Sequence, residues 1–389
     1  MLDNSIEKFD GNQYGNETKR RTGIFSQEIE NKLRFDVNRS NNNYKISYGI
    51  VAQYVKNNND AFQRIRQEFI DGNGTLIQPA VIVKYASAIN FWRTGGFFQI
   101  SKRTLANRLS LSAGLRTDLN SFTTTGNNPL KTLSGRFNAS YTLSERWTLN
   151  TSIGNYFKIA PYTILSHTDN TGKFTNKDAN YTESIHYVAG IEYLPAPTTR
   201  FTLEGFYKRY KQVPISVRDG ISLANLGGDF TILGNEDVTT NGEGNAAGIE
   251  LFFQQKLTKR FFTTLSYTLF YSQYSGSNGK LIASAWDNRH LLSFLGGYKL
   301  KRNWEIGLKF RLQGGAPFTP FDMAASQLNY LTLGTGLLDY SRLNSQRLAS
   351  FHASDIRIDK KWNFRQLTFN LFLDVTNWYV AKSPAFPQF

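Results

Sequence analysis

Large apolar side chains alternate with polar or small ones along most of the chain. Between residues 304 and 313 every even position is apolar: Trp304, Ile306, Leu308, Phe310 and Leu312. Successive side chains of a β-strand point to opposite faces, so a period of two predicts a strand that lies between an apolar phase and water. The alternation recurs in stretches of roughly 10 to 15 residues, whereas strands of soluble domains usually have about 5 to 6. The sequence therefore predicts long β-strands.

The connections between these stretches alternate in length. Short turns are expected near residues 39–43, 104–108, 144–146, 195–200, 258–260, 301–303 and 362–366. Longer polar segments lie between them, at residues 58–85, 119–131, 158–181, 214–243, 276–287 and 316–347. The short turns predict about fourteen strands in an up-and-down meander, with short connections at one rim and long ones at the other, as in outer-membrane barrels.

An open sheet of this size would expose an apolar face and leave two edges without hydrogen-bond partners. In lipid each unsatisfied backbone group costs several kcal/mol, so the sheet must close. No segment approaches the roughly 18 consecutive apolar residues of a membrane helix. The fold prediction is therefore all-β, an antiparallel up-and-down transmembrane β-barrel.

The six tryptophans are expected to form a membrane girdle, because amphipathic rings collect at both membrane interfaces. Trp147, Trp304 and Trp362 adjoin the short turns. Trp92, Trp286 and Trp378 are expected at the opposite ends of their strands. The alternative is that these rings cap a soluble core, but a soluble core would place some of them in the middle of strands.

The formal net charge of +15 suits either nucleic acid or a polar lumen near anionic lipid. Lysine and arginine lie at strand ends and at inward-facing positions, which favours lipid and argues against nucleic acid. The chain has no cysteine, so disulfides and thiolate metal sites are excluded. The residues after Met1 lack the features of a secretory signal, so either the protein is not exported or the chain is a piece of a longer one.

Three patterns that resemble chemical sites have simpler explanations. The Gly242-x-Gly244-x-x-Ala247 stretch leads into an alternating strand rather than the helix that a dinucleotide site needs. The four histidines are dispersed without metal-ligand spacing. Asp355 and Asp359 share a strand face with an arginine, as expected for lumen charges. The sequence predicts no enzyme, no metal site and no cofactor.

Several stretches, in this order, resemble the barrel of TonB-dependent outer-membrane receptors, especially the Bacteroidota type, from about Ile24 to Phe389. They are Gly95 to Gln99, Arg108 to Asp118, Leu149 to Pro161, Gly242 to Leu251, Asp287 to His290, Gly314 to Pro320 and Leu373 to Asn377. The resemblance implies an outer-membrane receptor that takes up a scarce ligand with energy from the TonB complex. It also implies contact with membrane lipid and lipopolysaccharide, and allows a surface lipoprotein as a partner.

In that family a plug domain occludes a barrel of 22 strands. Residues 1–389 show no plug, no TonB box and no signal peptide, and the proline-broken end from Ala385 to Phe389 does not resemble the closing strand. The resemblance therefore implies a partial barrel, holding roughly strands 8 to 21, whose TonB contact lies in the missing N-terminal part.

Ligand recognition is expected in the long connections, where binding residues lie on a rigid scaffold. The candidates are Arg289, His290, Phe318, Asp322, Tyr330, Tyr340, Arg342, Trp378 and Tyr379. They suit a siderophore, a glycan or a peptide equally well. The simpler alternative is that Trp378 and Tyr379 belong to the girdle and that Asp287 forms a rim ion pair with Arg289.

Two other functions stay open from the sequence. The first is a self-contained porin or hydrophobe channel of about fourteen strands, which requires residues 21–38 to pair with residues 366–379. The second is a surface structural or adhesive barrel. No feature of the sequence identifies the ligand.

Overall fold

The computed structural model describes residues 2–10, 22–66, 69–70, 75–78, 81–226, 235–333 and 336–389. The strands are β1 (Leu2–Asp10), β2 (Thr22–Ser40), β3 (Tyr44–Arg66), β4 (Phe69–Ile70), β5 (Leu76–Gln78), β6 (Val81–Thr104), β7 (Leu109–Asn120), β8 (Ser134–Thr142), β9 (Trp147–Lys158), β10 (Thr182–Ala196), β11 (Thr199–Ser216), β12 (Val238–Gln255), β13 (Phe261–Ser275), β14 (Leu281–Ala283), β15 (His290–Lys299), β16 (Trp304–Gln313), β17 (Pro317–Phe318), β18 (Gln346–Arg347), β19 (Phe351–Asn363) and β20 (Thr368–Val375). The α-helices are α1 (Tyr162–Leu165), α2 (Leu223–Leu226) and α3 (Met323–Leu333). Within the described residues, none of the helices has both the length and the apolar character needed to cross a membrane.

Fifteen of these strands form one antiparallel path, in the order β1-β2-β3-β6-β7-β8-β9-β10-β11-β12-β13-β15-β16-β19-β20. The short strand β14 pairs with the end of β13, while β4 pairs with β5 and β17 with β18. Each long strand therefore lies beside the next long strand in the sequence. This confirms the all-β, up-and-down barrel fold, with one strand more than the sequence predicted.

The connections confirm the predicted difference between the two rims. The short ones are residues 41–43, 105–108, 143–146, 197–198, 256–260, 300–303 and 364–367. The long ones include residues 121–133, 159–181, 217–237, 276–289 and 314–350. Because the strands alternate in direction, all short connections lie at one rim and all long ones at the other.

The connection predicted at residues 58–85 was wrong in its bounds. β3 continues to Arg66, β6 begins at Val81, and the ladder between them runs through to that pair. The polar residues from Asn57 to Asn59 remain in the strand because their backbone pairs with β6. A strand that projects beyond the membrane needs no lipid-facing apolar row, so the alternation that marks the membrane span ends before the strand does.

The register places the apolar row of β16 on the outer face. Leu308 lies between Gly296 of β15 and Ile356 of β19, and Ile306 lies between Tyr298 and Ile358. The opposite face of the same strands carries charges that form ion pairs, with Arg357 bound to Asp359 at 2.8 Å and Arg311 near Asp355 at 3.6 Å. The lumen therefore holds the charged row. Asp359 pairs with Arg357 on its own strand, as the sequence indicated, whereas Asp355 pairs with Arg311 of β16 instead.

The six tryptophan side chains are all exposed, from 38% for Trp362 to 54% for Trp92 and Trp286. The expected terminal position of Trp92 was wrong, because β6 continues from Trp92 to Val81 on the long-connection side. Twelve residues separate Trp92 from Thr104 at the short-turn rim. At about 3.3 Å per residue and the usual strand tilt this spans roughly 30 Å, the thickness of the hydrocarbon layer. Trp92 thus lies at a height that suits the predicted girdle.

The ends of the path do not form the pairing that a self-contained channel requires. β3 pairs with β2 along its whole length, and β1 covers residues 23–31 of its other edge. Residues 368–375 pair with β19. Among the described residues, the path begins at β1 and ends at β20, and no pairing joins residues 22–38 to residues 366–379. The contact on which the small-porin hypothesis depends is therefore not formed.

We expect substitution of Leu308 by lysine to destabilise the barrel by about 2 to 4 kcal/mol, because it places a charge on the lipid face near the middle of the membrane span. The matched change Lys309→Leu, on the lumen face of the same strand, should cost much less. Urea unfolding in lipid vesicles, followed by tryptophan fluorescence, measures both. Equal costs would show that the two faces of β16 are assigned wrongly.

Candidate ligand-binding site

Residues 159–181, between β9 and β10, fold against the inner face of the sheet, and we call them the inward loop. On β3 and β6 the even-numbered side chains, such as Tyr54 and Trp92, face outward, and the odd-numbered ones face inward. The loop packs on the inward set in one buried cluster: Val55, Ile89, Phe91, Ile159, Ala160, Tyr162, Ile164, Leu165, Ala179, Tyr181 and Leu223. The inward loop is therefore held by an apolar core of its own inside the barrel mouth.

Tyr162 anchors the start of the inward loop to the barrel wall. Its hydroxyl accepts a hydrogen bond from Arg93 Nη1 at 2.8 Å and donates one to Glu30 Oε1 at 2.7 Å. Burial raises the pKa of Tyr162 above its ordinary value, so the phenol stays protonated and remains a donor to Glu30. The loop thus bridges β2 and β6, two strands that are separated in the sheet by β3.

Asn176 joins the inward loop to the connection at residues 217–237. Its side-chain amide donates to the carbonyl oxygens of Ile164 and Glu236, both at 2.9 Å, and its carbonyl oxygen accepts from the Val238 backbone at 3.0 Å. The Asn176 side chain thus supplies hydrogen-bond partners to three backbone groups. Asn176 therefore joins the inward loop directly to residues 236–238 at the start of β12.

His167 lies in the same contact between connections. Its Nε2 atom is 3.6 Å from Asp237 Oδ1, and its ring meets the ring of Tyr85 edge-on at 5.0 Å. Its side chain is mostly buried, and burial lowers the pKa of His167 below its ordinary value, although Asp237 and Asp169 oppose that effect. The packed loop therefore favours the neutral imidazole.

We expect the inward loop to open more readily as the pH falls below about 6.5, the ordinary pKa of histidine. His167 binds a proton more readily in the opened loop than in the packed loop, because its pKa is lowered only in the packed loop. The packing free energy therefore weakens as the pH falls from about 6.5 to the lowered pKa of the packed loop, and below that pKa it changes no further. Hydrogen exchange of residues 159–181 at pH 7.5 and 5.5, corrected for intrinsic rates, measures the effect. His167→Gln should remove the pH dependence, and its persistence in that variant would assign it to another group.

A second set of contacts, the loop junction, ties three long connections together through Asp287, Arg289, Arg347, Asn225 and Asn344. The Asp287 side chain is fully buried and lies 3.0 Å from Arg347 Nη2 and 3.3 Å from Arg289 Nε. Asn344 donates to the backbone carbonyl oxygens of Asn225 at 2.8 Å and Ala283 at 2.9 Å. Asp287 therefore joins residues 276–289 to residues 314–350, and Asn344 joins residues 217–237 to the same junction.

The loop junction also explains the glycine pair in the Gly314–Pro320 stretch. The Gly315 carbonyl oxygen accepts a hydrogen bond from Arg347 Nη1 at 3.1 Å. A Cβ atom at Gly315 would collide with the carbonyl oxygen of Leu348, so the backbone can approach this closely only at glycine.

The structure divides the nine candidate residues between two surfaces. His290 lies opposite Leu269 on the outer face, and its ring nitrogen Nδ1 is 2.9 Å from the Tyr267 hydroxyl. Arg289 stacks over the Tyr271 ring at 4.2 Å and binds Asp287, as the rim ion-pair alternative predicted. Both residues thus face the outer surface of the wall rather than the lumen.

Trp378 and Tyr379 also lie beside the outer face. The Tyr379 hydroxyl is 2.7 Å from His352 Nδ1, and the two rings are stacked. His352 lies opposite Leu312, a member of the outward apolar row. This position suits the predicted girdle.

The other five candidates lie in residues 314–350. Asp322 accepts a hydrogen bond from the Ala325 backbone at 3.0 Å near the start of α3, and Tyr330 of α3 packs against Phe389. Arg342 binds Asp339 at 2.7 Å but is about half exposed. Phe318 and Tyr340 complete this group, at β17 and in the Tyr340–Arg342 turn. Among the described residues, no three histidine or carboxylate side chains are grouped to hold a metal ion.

The family model for the β-barrel of TonB-dependent receptor-like proteins matches residues 3–377. The chain belongs to this family. No curated protein matches the sequence.

Solved structures share the fold of this receptor barrel at low identity. The pyoverdine outer membrane receptor FpvA from Pseudomonas aeruginosa PAO1, bound to pyoverdine, has a TM-score of 0.63 and 14% identity over 98% of this chain and 54% of its own. The copper transporter OprC has a TM-score of 0.63 and 14% identity, over 97% of this chain and 57% of its own. The siderophore receptor PiuA from Acinetobacter baumannii has a TM-score of 0.57 and 12% identity, over 92% of this chain and 52% of its own. The receptor barrel is an outer-membrane protein, and the chain spans about half the length of these structures.

The sequence did not identify the residues that fix the inward loop of the receptor barrel: Glu30, Arg93, Tyr162, His167 and Asn176. One signal was present. Residues 159–165 read Ile-Ala-Pro-Tyr-Thr-Ile-Leu, an apolar run inside a segment expected to be polar. An apolar run in a long connection indicates that the connection packs against something, and here it packs on the inner wall.

Proposed function

We propose that the receptor barrel takes up a scarce ligand, a siderophore, a glycan or a peptide, across the outer membrane with energy from the TonB complex. The observation that supports this best is the inward loop, because it packs on the inner face of the wall and narrows the route through the barrel. A narrowed route suits a receptor that binds its ligand before transport. The family match supports the same function.

The ligand surface that we propose is the group in residues 314–350: Phe318, Asp322, Tyr330, Tyr340 and Arg342. Arg342 is about half exposed, and Tyr340 is exposed beside it. Aromatic rings and a guanidinium offer stacking and charge-assisted hydrogen bonds to a polar ligand. Arg289, His290, Trp378 and Tyr379 face the outer surface, so we propose them as contacts with lipopolysaccharide or a surface lipoprotein rather than with the transported ligand.

The relatives show the range of ligands that this fold serves. FpvA was solved with pyoverdine, PiuA is described as a siderophore receptor and OprC as a copper transporter. Because the chain spans about half of those proteins, we propose that the TonB contact and the plug belong to sequence outside these 389 residues.

Uptake by whole cells tests the proposal. Cells that express the complete gene are given a radiolabelled ferric siderophore, a labelled oligosaccharide and a labelled oligopeptide in turn, with and without a functional TonB complex. We expect uptake of one class that stops without TonB. Uptake that continues without TonB would show a passive channel, and cell adhesion without any uptake would favour the surface-structural alternative.

A substitution locates the ligand surface. Arg342→Gln should lower the affinity for the transported probe about tenfold, as expected for loss of one charge-assisted contact. Arg365→Gln, at the short-turn rim, is the matched control and should change nothing. Equal affinities in the two variants would place the ligand elsewhere.

A further inference from the structure

The positive charge of the chain is concentrated at the short-turn rim. We define the basic rim as residues 39–45, 102–108, 143–147, 194–200, 256–260, 299–304 and 360–367. These segments contain sixteen lysines and arginines and one carboxylate, Glu145, which gives a net charge of +15. The whole chain also has a net charge of +15, so its remaining acidic and basic residues cancel. The rim opposite the ligand entrance thus carries all of the excess charge.

The cations of the basic rim are not neutralised by neighbouring acids. Among the described residues, Arg200 is the one rim cation in an ion pair, with Glu192 at 2.6 Å. Beyond Glu145, the carboxylates Glu305 and Asp359 lie opposite each other on the lumen face. The outward side of the rim therefore presents positive charge without an acidic partner; Lys360 and Arg108 donate hydrogen bonds only to backbone carbonyl oxygens.

Several of these cations lie over aromatic rings that face the membrane. Lys102 Nζ is 5.0 Å from the ring centre of Tyr44, and Lys360 Nζ is 5.2 Å from that of Trp304. Tyr44 and Trp304 are both 43% exposed. Arg39 lies opposite Ile46, on the same outer face. Aromatic rings of this kind mark the level of the lipid headgroups, so the cations above them lie at the height of the phosphates.

We propose that the basic rim binds the phosphates of anionic phospholipids in the periplasmic leaflet and selects them over zwitterionic lipids. Short turns of outer-membrane barrels lie on the periplasmic side. Each lysine or arginine near an anionic membrane surface strengthens binding about fivefold. An acidic protein is the less suitable partner, because Arg39, Lys102 and Lys360 lie on the strands, on the membrane-facing side, and not in the turns.

Lipid retention tests the proposal on the complete protein, purified in a neutral detergent. The protein is incubated with phosphatidylglycerol or with phosphatidylcholine of the same acyl chains, and native mass spectrometry counts the lipids that remain bound. We expect several-fold more phosphatidylglycerol, with a preference that declines as salt rises from 0.05 to about 0.5 M. Equal retention of the two lipids, or a preference that salt does not change, would overturn the proposal.

A triple variant assigns the preference to the basic rim. R39Q/K102Q/K360Q removes three outward cations and should lower phosphatidylglycerol retention at least tenfold, while leaving phosphatidylcholine unchanged. Arg108 is kept, because it donates two hydrogen bonds, to the carbonyl oxygens of Thr142 and Leu143 at the neighbouring turn, whereas Lys360 donates one, to that of Arg302.

The control variant K208Q/K309Q/R311Q removes the same charge from the lumen face and should keep the preference. The heat-resistant migration of folded barrels on gels shows whether both variants are folded. If the triple variant does not fold, the salt series on the unmodified protein still tests whether the lipid preference is electrostatic. Equal losses in the two variants would mean that net charge alone acts. Displacement of the lipid by polyglutamate at equal charge would show an acidic protein to be the partner and overturn the lipid assignment.

Discussion

Replacing Asp287 by alanine should release the loop junction at a cost of about 3 kcal/mol. The carboxylate is fully buried and binds Arg347 at 3.0 Å and Arg289 at 3.3 Å. Breaking a buried ion pair from one side costs about 3 to 5 kcal/mol, and the lower value applies here because both arginines are about one third exposed and can regain water. Hydrogen exchange should show faster opening of residues 276–289 and 314–350 while the strands keep their protection.

Asp339→Ala is the matched control for the loop junction. Asp339 also binds an arginine, Arg342 at 2.7 Å, but that pair is exposed within one turn of the same connection. Water replaces an exposed partner, so we expect only local change around residues 339–342. If Asp287→Ala and Asp339→Ala gave the same exchange pattern, the buried carboxylate would not be what ties residues 276–289 to residues 314–350.

Replacing Leu165 by alanine should weaken the packing of the inward loop by about 2 to 5 kcal/mol, the usual cost of emptying a well-packed apolar site. Leu165 has no exposed surface and lies in the cluster that joins the loop to Val55, Ile89 and Phe91. The barrel itself should stay intact, since the strands are held by their own ladders. Limited proteolysis should therefore cut within residues 159–181 in the variant and leave the unmodified protein whole.

Leu130→Ala is the control for the inward loop. Leu130 lies in the preceding long connection and is 76% exposed, so its removal should leave proteolysis within residues 159–181 unchanged. Tyr162→Phe should give a rate of proteolysis between those of the unmodified protein and Leu165→Ala, because it removes only the hydroxyl between Arg93 and Glu30. A Leu165→Ala variant that resists proteolysis like the unmodified protein would show that the loop is held by polar contacts alone.

The strands and turns could be predicted because their signals are local. A period of two appears within ten residues, and turns such as residues 41–43 and 105–108 fall where the alternation stops. The one large error, at residues 58–85, arose beyond the membrane span. There β3 and β6 continue by backbone pairing, and their side chains no longer show which face meets lipid.

The contacts that build the candidate site could not be predicted in the same way. Tyr162 and Glu30 are separated by 132 positions, and nothing near either residue indicates the other. The outward direction of His290, by contrast, could have been predicted by extending the alternation of Leu292 and Phe294 by one step. The role of the nine candidate residues in ligand binding stays a prediction that the uptake and affinity measurements decide.

The unequal lengths of the strands set the direction from which a solute can approach. β3 and β6 have 23 and 24 residues, whereas β15 and β16 have 10 each. All four start or end at the same short-turn level, so a difference of about 13 residues raises one side of the wall roughly 30 Å above the other at the usual tilt. The long-connection rim is therefore lower at β15 and β16 than at β3 and β6. Residues 314–350, which follow β16, lie at the lower edge. We therefore expect a bulky molecule or a cell-surface polymer to approach the interior across that lower edge.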